Sequence, residues 1–254
     1  MHTAAALGLA LELADAADAL TMARFRAADL VVDTKPDLTP VSEADHATEV
    51  RLRDLIADRA PGHLVAGEEF GDDGDAECRW IVDPIDGTKN YVRGVPIWAT
   101  LLGFERAGEL VVGVVSAPAL GTRWWAGQDL GAFRDGTPIR VSAVHELADA
   151  HLSYASDRQY MDDHLPDRLT ALSDRCWRTR ALGDFWQHVL VADGSFDIGV
   201  DPVVAYWDVA ALLPIITEAG GRWSTLDGAT PAEPLSLVTT NGQIHDLVVA
   251  ALRK

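Results

Sequence analysis

The residues best equipped for chemistry stand in one run, Trp80-Ile81-Val82-Asp83-Pro84-Ile85-Asp86-Gly87-Thr88-Lys89-Asn90. Two carboxylates three residues apart close an apolar, strand-like stretch. Pro84 between them fixes φ and lacks an N–H, so the chain is expected to leave its ladder there. Asp83, the Ile85 carbonyl and Asp86 can then converge on one point as hard oxygen ligands of the kind that suits Mg²⁺ or Mn²⁺. Gly87 and Thr88 follow at an expected helix start, where free backbone N–H groups favour an anion. A divalent cation and a phosphate can share such a turn. Asp-Pro and Asp-Gly are also ordinary turn dipeptides, and Asp86 by itself reads equally well as a helix cap.

Two further acidic segments lie apart from this run. Gly67-Glu68-Glu69 ends the stretch His63-Leu64-Val65-Ala66, and Trp207-Asp208-Val209-Ala210-Ala211 opens a helix. Taken singly, the glutamates read as a solvated face and Asp208 as an N-cap.

The elements that must position these groups follow from periodicity. A helix is expected over Leu7 to Phe25, a turn at Thr34-Lys35-Pro36-Asp37, and a second helix over Ser42 to Arg59, so that two helices precede any strand. From Arg79 the pattern turns to β: Trp80 to Val82, Ile97 to Phe104, a turn at Arg106-Ala107-Gly108, Leu110 to Ser116, Arg123 to Ala126, and a hairpin signal at Asp135-Gly136. The sheet is expected to be antiparallel and meandering. Beyond about Ser142 the elements alternate. Strands are expected at Leu152–Tyr154, Phe196–Val200, Arg222–Thr225 and Leu235–Thr239, and helices at Leu165–Ser173, Phe185–Ala192, Val209–Ala219 and Ile244–Leu252. A soft boundary near Val141 to Leu147 divides one compact unit into an N-terminal α+β half, 1–144, and a C-terminal α/β half, 145–254.

Composition excludes several classes. The 254 residues carry 39 acidic and 21 basic side chains, a net charge of −18, and 48% are apolar. A disordered chain would hold fewer apolar residues per charge, and a nucleic-acid binder would need a basic face. Ala4 to Leu20 is interrupted by Glu12, Asp15 and Asp18, and no run approaches the ~18 apolar residues of a membrane span. A cytoplasmic protein is expected. Cys78 and Cys176 lack ligand spacing and read as reduced thiols. The histidines, His151, His164 and His188 among them, are expected at surface or half-buried positions. Trp98, Trp124, Trp125 and Trp177 are expected in core or dimer contacts, Asp72-Asp73-Gly74-Asp75 as an exposed turn, and Arg178 and Arg180 in surface pairs.

Taken together, the three acidic segments, with Glu218-Ala219-Gly220-Gly221, Val41-Ser42-Glu43-Ala44-Asp45 and Asn241-Gly242, resemble the signature set of the inositol monophosphatase superfamily, in the family order and over most of the chain. The resemblance implies an αβαβα layered sandwich and a homodimeric, Mg²⁺-dependent, often Li⁺-sensitive phosphomonoesterase, with two or three Mg²⁺ per site and Mn²⁺ as an alternative. Carried over by position, Glu68, Asp83, the Ile85 carbonyl, Asp86 and Asp208 resemble the metal ligands. Thr88 with Glu68 resembles the pair that activates water, Asp45 the acid behind that threonine, and Gly87 and Thr88 the phosphate cradle. Most of these ligands fall in the N-terminal half; Asp208 and the substrate pocket fall in the other. Phosphate monoester hydrolysis needs cations to neutralise the ester, generate a nucleophile and stabilise the departing alkoxide, which agrees with that ligand set.

The substrate is written elsewhere. Family positions around Gly183 and before Trp207 line the leaving-group pocket, and here they hold Asp184 and Asp201. The stretch Arg178-Thr179-Arg180-Ala181-Leu182-Gly183-Asp184-Phe185-Trp186 resembles the histidinol-phosphatase branch. A carboxylate there can pair with an ammonium through a charge-assisted hydrogen bond, which implies L-histidinol phosphate as substrate, within histidine biosynthesis. The simpler readings are that Asp184 caps a helix beginning at Phe185 and that Asp201-Pro202 forms a turn. The alternatives in function are an inositol monophosphatase or a broad-specificity sugar or nucleotide phosphatase, and an acidic cation-binding scaffold without activity.

Overall fold

The computed structural model describes residues 1–36, 38–72, 74, 76–155 and 164–253. The turn expected at 34–37 and the loop 71–78 are therefore covered in part, with Asp37, Asp73 and Asp75 outside the described residues. Helices α1 (Thr3–Arg24) and α2 (Glu43–Arg59) open the chain, and a ribbon of two antiparallel strands, β1 (Val32–Thr34) and β2 (Pro40–Ser42), lies between them. This corrects the expectation that no strand precedes the second helix. Three-residue strands show too few alternations to be read from a pattern, and β1 is exposed throughout. α2 starts at a capping box: Ser42 Oγ accepts from the Ala44 N–H at 3.2 Å, and Asp45 Oδ2 accepts from the Ser42 N–H at 2.8 Å.

The first large sheet is formed by β3 (Leu64–Gly67), β4 (Gly71–Asp72), β5 (Cys78–Asp86), β6 (Ala99–Arg106), β7 (Glu109–Ala117), β8 (Thr122–Gly127), β9 (Gly131–Arg134) and β10 (Thr137–Pro138). Its order is β10-β9-β8-β7-β6-β5-β3-β4, with helix α3 (Thr88–Val92) between β5 and β6 in sequence. From β5 to β10 it is the expected antiparallel meander, turning at Ala107-Gly108 and Asp135-Gly136, all with positive φ. The expectation fails at β3, which runs parallel to β5 because β4 occupies the outer edge and the chain crosses back. β5 also continues past Pro84. Its register moves from Asp83 opposite Leu101 to Asp86 opposite Ala99, so three steps on β5 face two on β6, a bulge at the proline.

The second sheet uses β11 (His151–Tyr154), β12 (Arg178–Arg180), β13 (Ile198–Asp201), β14 (Arg222–Ser224) and β15 (Leu237–Thr240), in the order β12-β11-β13-β15-β14. Around it lie α4 (Leu165–Ser173), α5 (Asp184–Ala192), α6 (Tyr206–Val209), α7 (Leu212–Glu218) and α8 (His245–Leu252). Three apolar layers hold the stack. Leu13, Leu52 and Ile56 of α1 and α2 pack on Trp80, Phe104 and Val112 of the first sheet. Phe185, Val189, Ile215 and Ile216 of α5 and α7 fill the space against Leu101, Val115 and Trp124 on the sheet's other face. Leu165, Leu172, Val248 and Leu252 of α4 and α8 cover Leu152, Ile198 and Val238 of the second sheet. The result is the expected αβαβα layering.

The single helix expected over Val209 to Ala219 is two helices, α6 and α7. The backbone between them is pressed against β7, where a Cβ added to Gly113 would stand 2.0 Å from the Ala211 carbonyl oxygen. That approach, open only to glycine, fixes the height of α6 above the sheet. Among the described residues no helix is long and apolar enough to cross a membrane. Cys78 and Cys176 are free thiols, and Trp80, Trp98 and Trp124 are buried whereas Trp177 is 67% exposed.

Candidate active site

The bulge in β5 and the seat of α6 on the sheet bring Asp83, Asp86 and Asp208 together, with one carboxylate oxygen from each within 4.8 Å of the others. Each is oriented by a backbone donor. Asp83 Oδ1 accepts from the Ile85 N–H at 2.9 Å, Asp208 Oδ2 from the Ala205 N–H at 2.7 Å, and Asp86 Oδ2 from the Phe185 N–H at 2.7 Å. Asp86 does cap a helix, but the helix is α5, far along the chain.

Three acids in so small a volume repel one another. Burial, and then the charges of Glu68, Asp86 and Asp208, hold Asp83 well above the ordinary carboxylate range. Burial, and then Asp184 and Asp208, do the same to Asp86. Burial pushes Asp208 up to about 7, with Glu68, Asp201 and Asp184 adding repulsion. A cluster of hard oxygen donors that must otherwise keep protons to coexist is suited to a divalent cation, which supplies the missing positive charge.

Glu68 stands near the cluster, its charge next after burial in raising Asp83. Its own Oε1 lies 2.8 Å from Lys35 Nζ, which also contacts Glu69 Oε1 at 2.8 Å. These glutamates are not a solvated face: the Glu69 side chain is 3% exposed. Their turn is clamped by Glu49 of α2, whose carboxylate accepts from the Glu69 N–H at 2.8 Å and the Phe70 N–H at 3.3 Å while pairing with Arg53 Nε at 2.9 Å. A Cβ at Gly67 would stand 2.0 Å from Glu49 Oε1, so any larger residue there would displace that carboxylate. One turn earlier on the same helix, Asp45 Oδ1 stands 3.4 Å from Thr88 Oγ1, which is also 2.9 Å from the Ile85 carbonyl oxygen. Burial raises the Asp45 carboxyl above its ordinary range.

A cavity of about 470 Å³ opens over this corner, bordered by Glu68, Gly87, Thr88 and Asp208 together with Gly183, Asp184, Tyr154 and Trp207. Asp184 has φ of 52°, a left-handed conformation uncommon for a residue with a Cβ and typical of strained functional positions. It does not cap α5. The helix begins at Asp184 itself, with Gly183 at the N-cap position, while Asp184 Oδ2 accepts from Asn90 Nδ2 at 3.4 Å. Burial, then the nearby Asp201, push the Asp184 carboxyl to about 6. Asp201 closes β13 and borders, with Asp184, Asp86 and Asp208, a smaller adjoining cavity of about 50 Å³. His188 borders it too and is 1% exposed, which corrects the expected surface or half-buried placement of the histidines, as does His245 at 1%.

Of the expected site residues, Glu68, Gly87, Thr88, Gly183, Asp184 and Asp208 line the cleft, Asp86 and Asp201 border the smaller cavity beside it, and Asp83, Ile85 and Asp45 are buried. Arg178 and Arg180 sit exposed on the edge strand β12 and do not border the cavity. Sequence reasoning missed Lys35, Glu49, Gln187 and the buried role of His188. Glu49 four residues after Asp45 places both on one helix face, which is the signal that could have found it.

Comparison with known proteins agrees with this geometry. The model of the family described as "Inositol monophosphatase family" matches residues 4–254. A protein named histidinol-phosphatase from Streptomyces coelicolor is 48% identical over 257 residues, spanning 98% of this chain and 97% of the relative. Another of that name, from Mycobacterium tuberculosis, is 50% identical over 252 residues and 97% of each chain. Among solved structures, an IMPase of Thermotoga maritima superposes with a TM-score of 0.89 at 31% identity over 97% of this chain and 96% of its own. The extragenic suppressor protein suhB of Bartonella henselae does so with 0.92 at 25% identity, covering 98% and 99%.

Proposed function

The chain belongs to the inositol monophosphatase family and is a phosphoric monoester hydrolase; from that premise we propose that its substrate is L-histidinol phosphate, with Mg²⁺ as the working cation. The observation that carries the substrate is the pair of carboxylates Asp184 and Asp201, of which Asp184 lines the cleft and both border the small cavity adjoining it. Buried carboxylates facing an alcohol-binding pocket are suited to a leaving group that brings its own positive charge. The histidinol-phosphatases of Streptomyces and Mycobacterium, similar over nearly their whole length, support the same assignment.

Glu68, Asp83, the Ile85 carbonyl, Asp86 and Asp208 would hold the cations. When bound, these supply neutralisation of the phosphate, a more acidic water and stabilisation of the departing oxygen. The chain's own groups do the rest. With its hydrogen directed to Asp45 or to the Ile85 carbonyl, Thr88 Oγ1 offers its lone pairs to the attacking water and aims it at phosphorus. Glu68 takes up the water's proton on the opposite side of the cluster. The backbone of Gly87 and Thr88 holds phosphate oxygens, and Asp184 and Asp201 hold the ammonium so that the scissile P–O bond points away from the water. We read the working enzyme as a cytoplasmic homodimer, which light scattering on the purified protein tests directly.

The substrate is tested by phosphate release from L-histidinol phosphate, inositol 1-phosphate and glycerol 2-phosphate, with Mg²⁺ and with EDTA. The expected result is Mg²⁺-dependent turnover with kcat/KM highest for L-histidinol phosphate. Equal turnover of the three esters contradicts it.

A further inference from the structure

Behind the two substrate-facing carboxylates lies a chain of polar groups that the hydrolytic chemistry does not use. Gln187 on α5 is fully buried, a place where an apolar side chain would be the ordinary occupant. Its amide is nonetheless fully engaged. Oε1 accepts from Ser153 Oγ at 2.9 Å, and Nε2 donates to the Val200 carbonyl at 3.3 Å and to Asp201 Oδ2 at 3.1 Å. Ser153, also fully buried on β11, accepts in turn from the Leu182 N–H at 3.2 Å. The hydrogen bonds therefore run in one direction, from the Leu182 backbone through Ser153 to Gln187, and Gln187 donates onward to Asp201.

The two ends of this relay lead to the two carboxylates that border the small cavity beside the cleft. Leu182 lies two residues before Asp184, in the strap that carries Asp184 in its left-handed conformation. At the other end, Oδ2 of Asp201 takes the Gln187 amide and stands 3.7 Å from His188 Nε2. Both contacts engage the same oxygen. A buried amide left without partners is costly, so the position is not neutral filler. Its geometry ties the rotamer of one carboxylate to the backbone position of the other.

We propose that Gln187 is a specificity-determining positioning residue, which through Asp201 on one side and Ser153 and Leu182 on the other sets the spacing of Asp201 and Asp184 for the ammonium of the substrate. The proposal rests on the reading of L-histidinol phosphate as substrate. It assigns Gln187 no contact with phosphate, water or cation, so its loss acts on recognition of the leaving group. Selectivity then depends on a residue that touches no substrate atom, because a charge-assisted contact is worth most when the carboxylate is already held in place.

The test compares Gln187→Met, of similar length but without the amide, with the wild-type enzyme on L-histidinol phosphate and glycerol 2-phosphate, both with saturating Mg²⁺. The expected result is a rise of about tenfold in KM for L-histidinol phosphate with a much smaller change in kcat, and at most about a threefold change in either constant for glycerol 2-phosphate. In a double-mutant cycle, Gln187→Met adds little further loss once Asp201→Asn is present, since the residue acts through Asp201. Ser153→Ala, which cuts the other half of the relay, moves KM the same way and decides the matter if Gln187→Met does not fold. Equal losses on both esters, an effect on kcat alone, or full additivity with Asp201→Asn overturns the proposal. A wild-type enzyme with no preference for L-histidinol phosphate removes the substrate reading itself, whereas a preference that survives both substitutions removes the relay alone.

Discussion

The two ends of the cleft face the same electrostatic difficulty and are built differently to meet it. At the phosphate end, Asp83, Asp86 and Asp208 crowd within 4.8 Å, with Glu68 beside them. At the alcohol end, Asp184 and Asp201 border one small cavity, where burial and then the charge of Asp201 raise the Asp184 carboxyl. In both places buried negative charge waits for a cation. The first end is composed for a resident metal ion: its acids come from a strand bulge and a helix seated on glycine, and backbone N–H groups fix them. The second is composed for a cation that arrives with the substrate, and side chains such as Asn90 and Gln187 hold its acids. The net charge of −18 on an enzyme for an anionic ester is thus less of a paradox, since both ends recruit positive charge locally.

If that division is right, substitutions at the two ends differ in kind. Asp83→Asn should cost the most, lowering kcat/KM by ~10³-fold or more on every phosphomonoester alike and weakening Mg²⁺ binding seen by calorimetry. Next is Thr88→Ala, expected to lower kcat by ~10²-fold with little change in KM or in Mg²⁺ affinity, because only the water loses its guide. At the other end, Asp184→Asn should raise KM for L-histidinol phosphate by ~10-fold or more, the worth of a charge-assisted hydrogen bond, and affect glycerol 2-phosphate far less. A parallel loss on both esters would erase the distinction between the two ends.

Glu49→Gln probes how firmly the phosphate end is held from behind. Mg²⁺ affinity should fall by ~10-fold, the usual size for a residue that orients a ligand, and titration calorimetry would read it. The smallest effect is on stability. Asp208 stands at about 7 in the folded protein against an ordinary 3.8, so the folded state holds an extra proton between those values. Stability of the metal-free protein is then greatest at the acid side of that window and is lost as pH rises toward about 7. In EDTA the melting temperature should drop from pH 5 to pH 8 by roughly 2–4 °C for each kcal/mol lost, and Mg²⁺ should abolish the drop. A melting temperature that rises over the same range would show that Asp208 is not held protonated.

The two ends also differ in how far they could be read from sequence. The run from Asp83 to Asn90 is contiguous, and its proline and paired acids announce both a break in a strand and a cation site. Asp184 and Asp201 were legible as residue types, but the relay behind them was not: Ser153, Gln187 and Asp201 come from three elements, and a glutamine at a helical position carries no mark of burial. Lys35 read as part of a turn, and only the fold brings its ammonium onto Glu68. Long elements such as α2 and α4 were recovered from their periodicity. The ribbon β1–β2 and the strand β12 were missed because three residues hold too little pattern. The break between α6 and α7 is a tertiary event, imposed where Ala211 meets Gly113, and apolar periodicity runs straight through it.

The most direct test of a cleft that takes one cation as metal and another from its substrate is a comparison of L-histidinol phosphate with 3-(imidazol-4-yl)propyl phosphate, the same ester without its amine. The account predicts a kcat/KM at least ~10-fold higher for the amine-bearing ester, with the difference lost in Asp184→Asn. Equal kcat/KM for the two esters in the wild-type enzyme would contradict it.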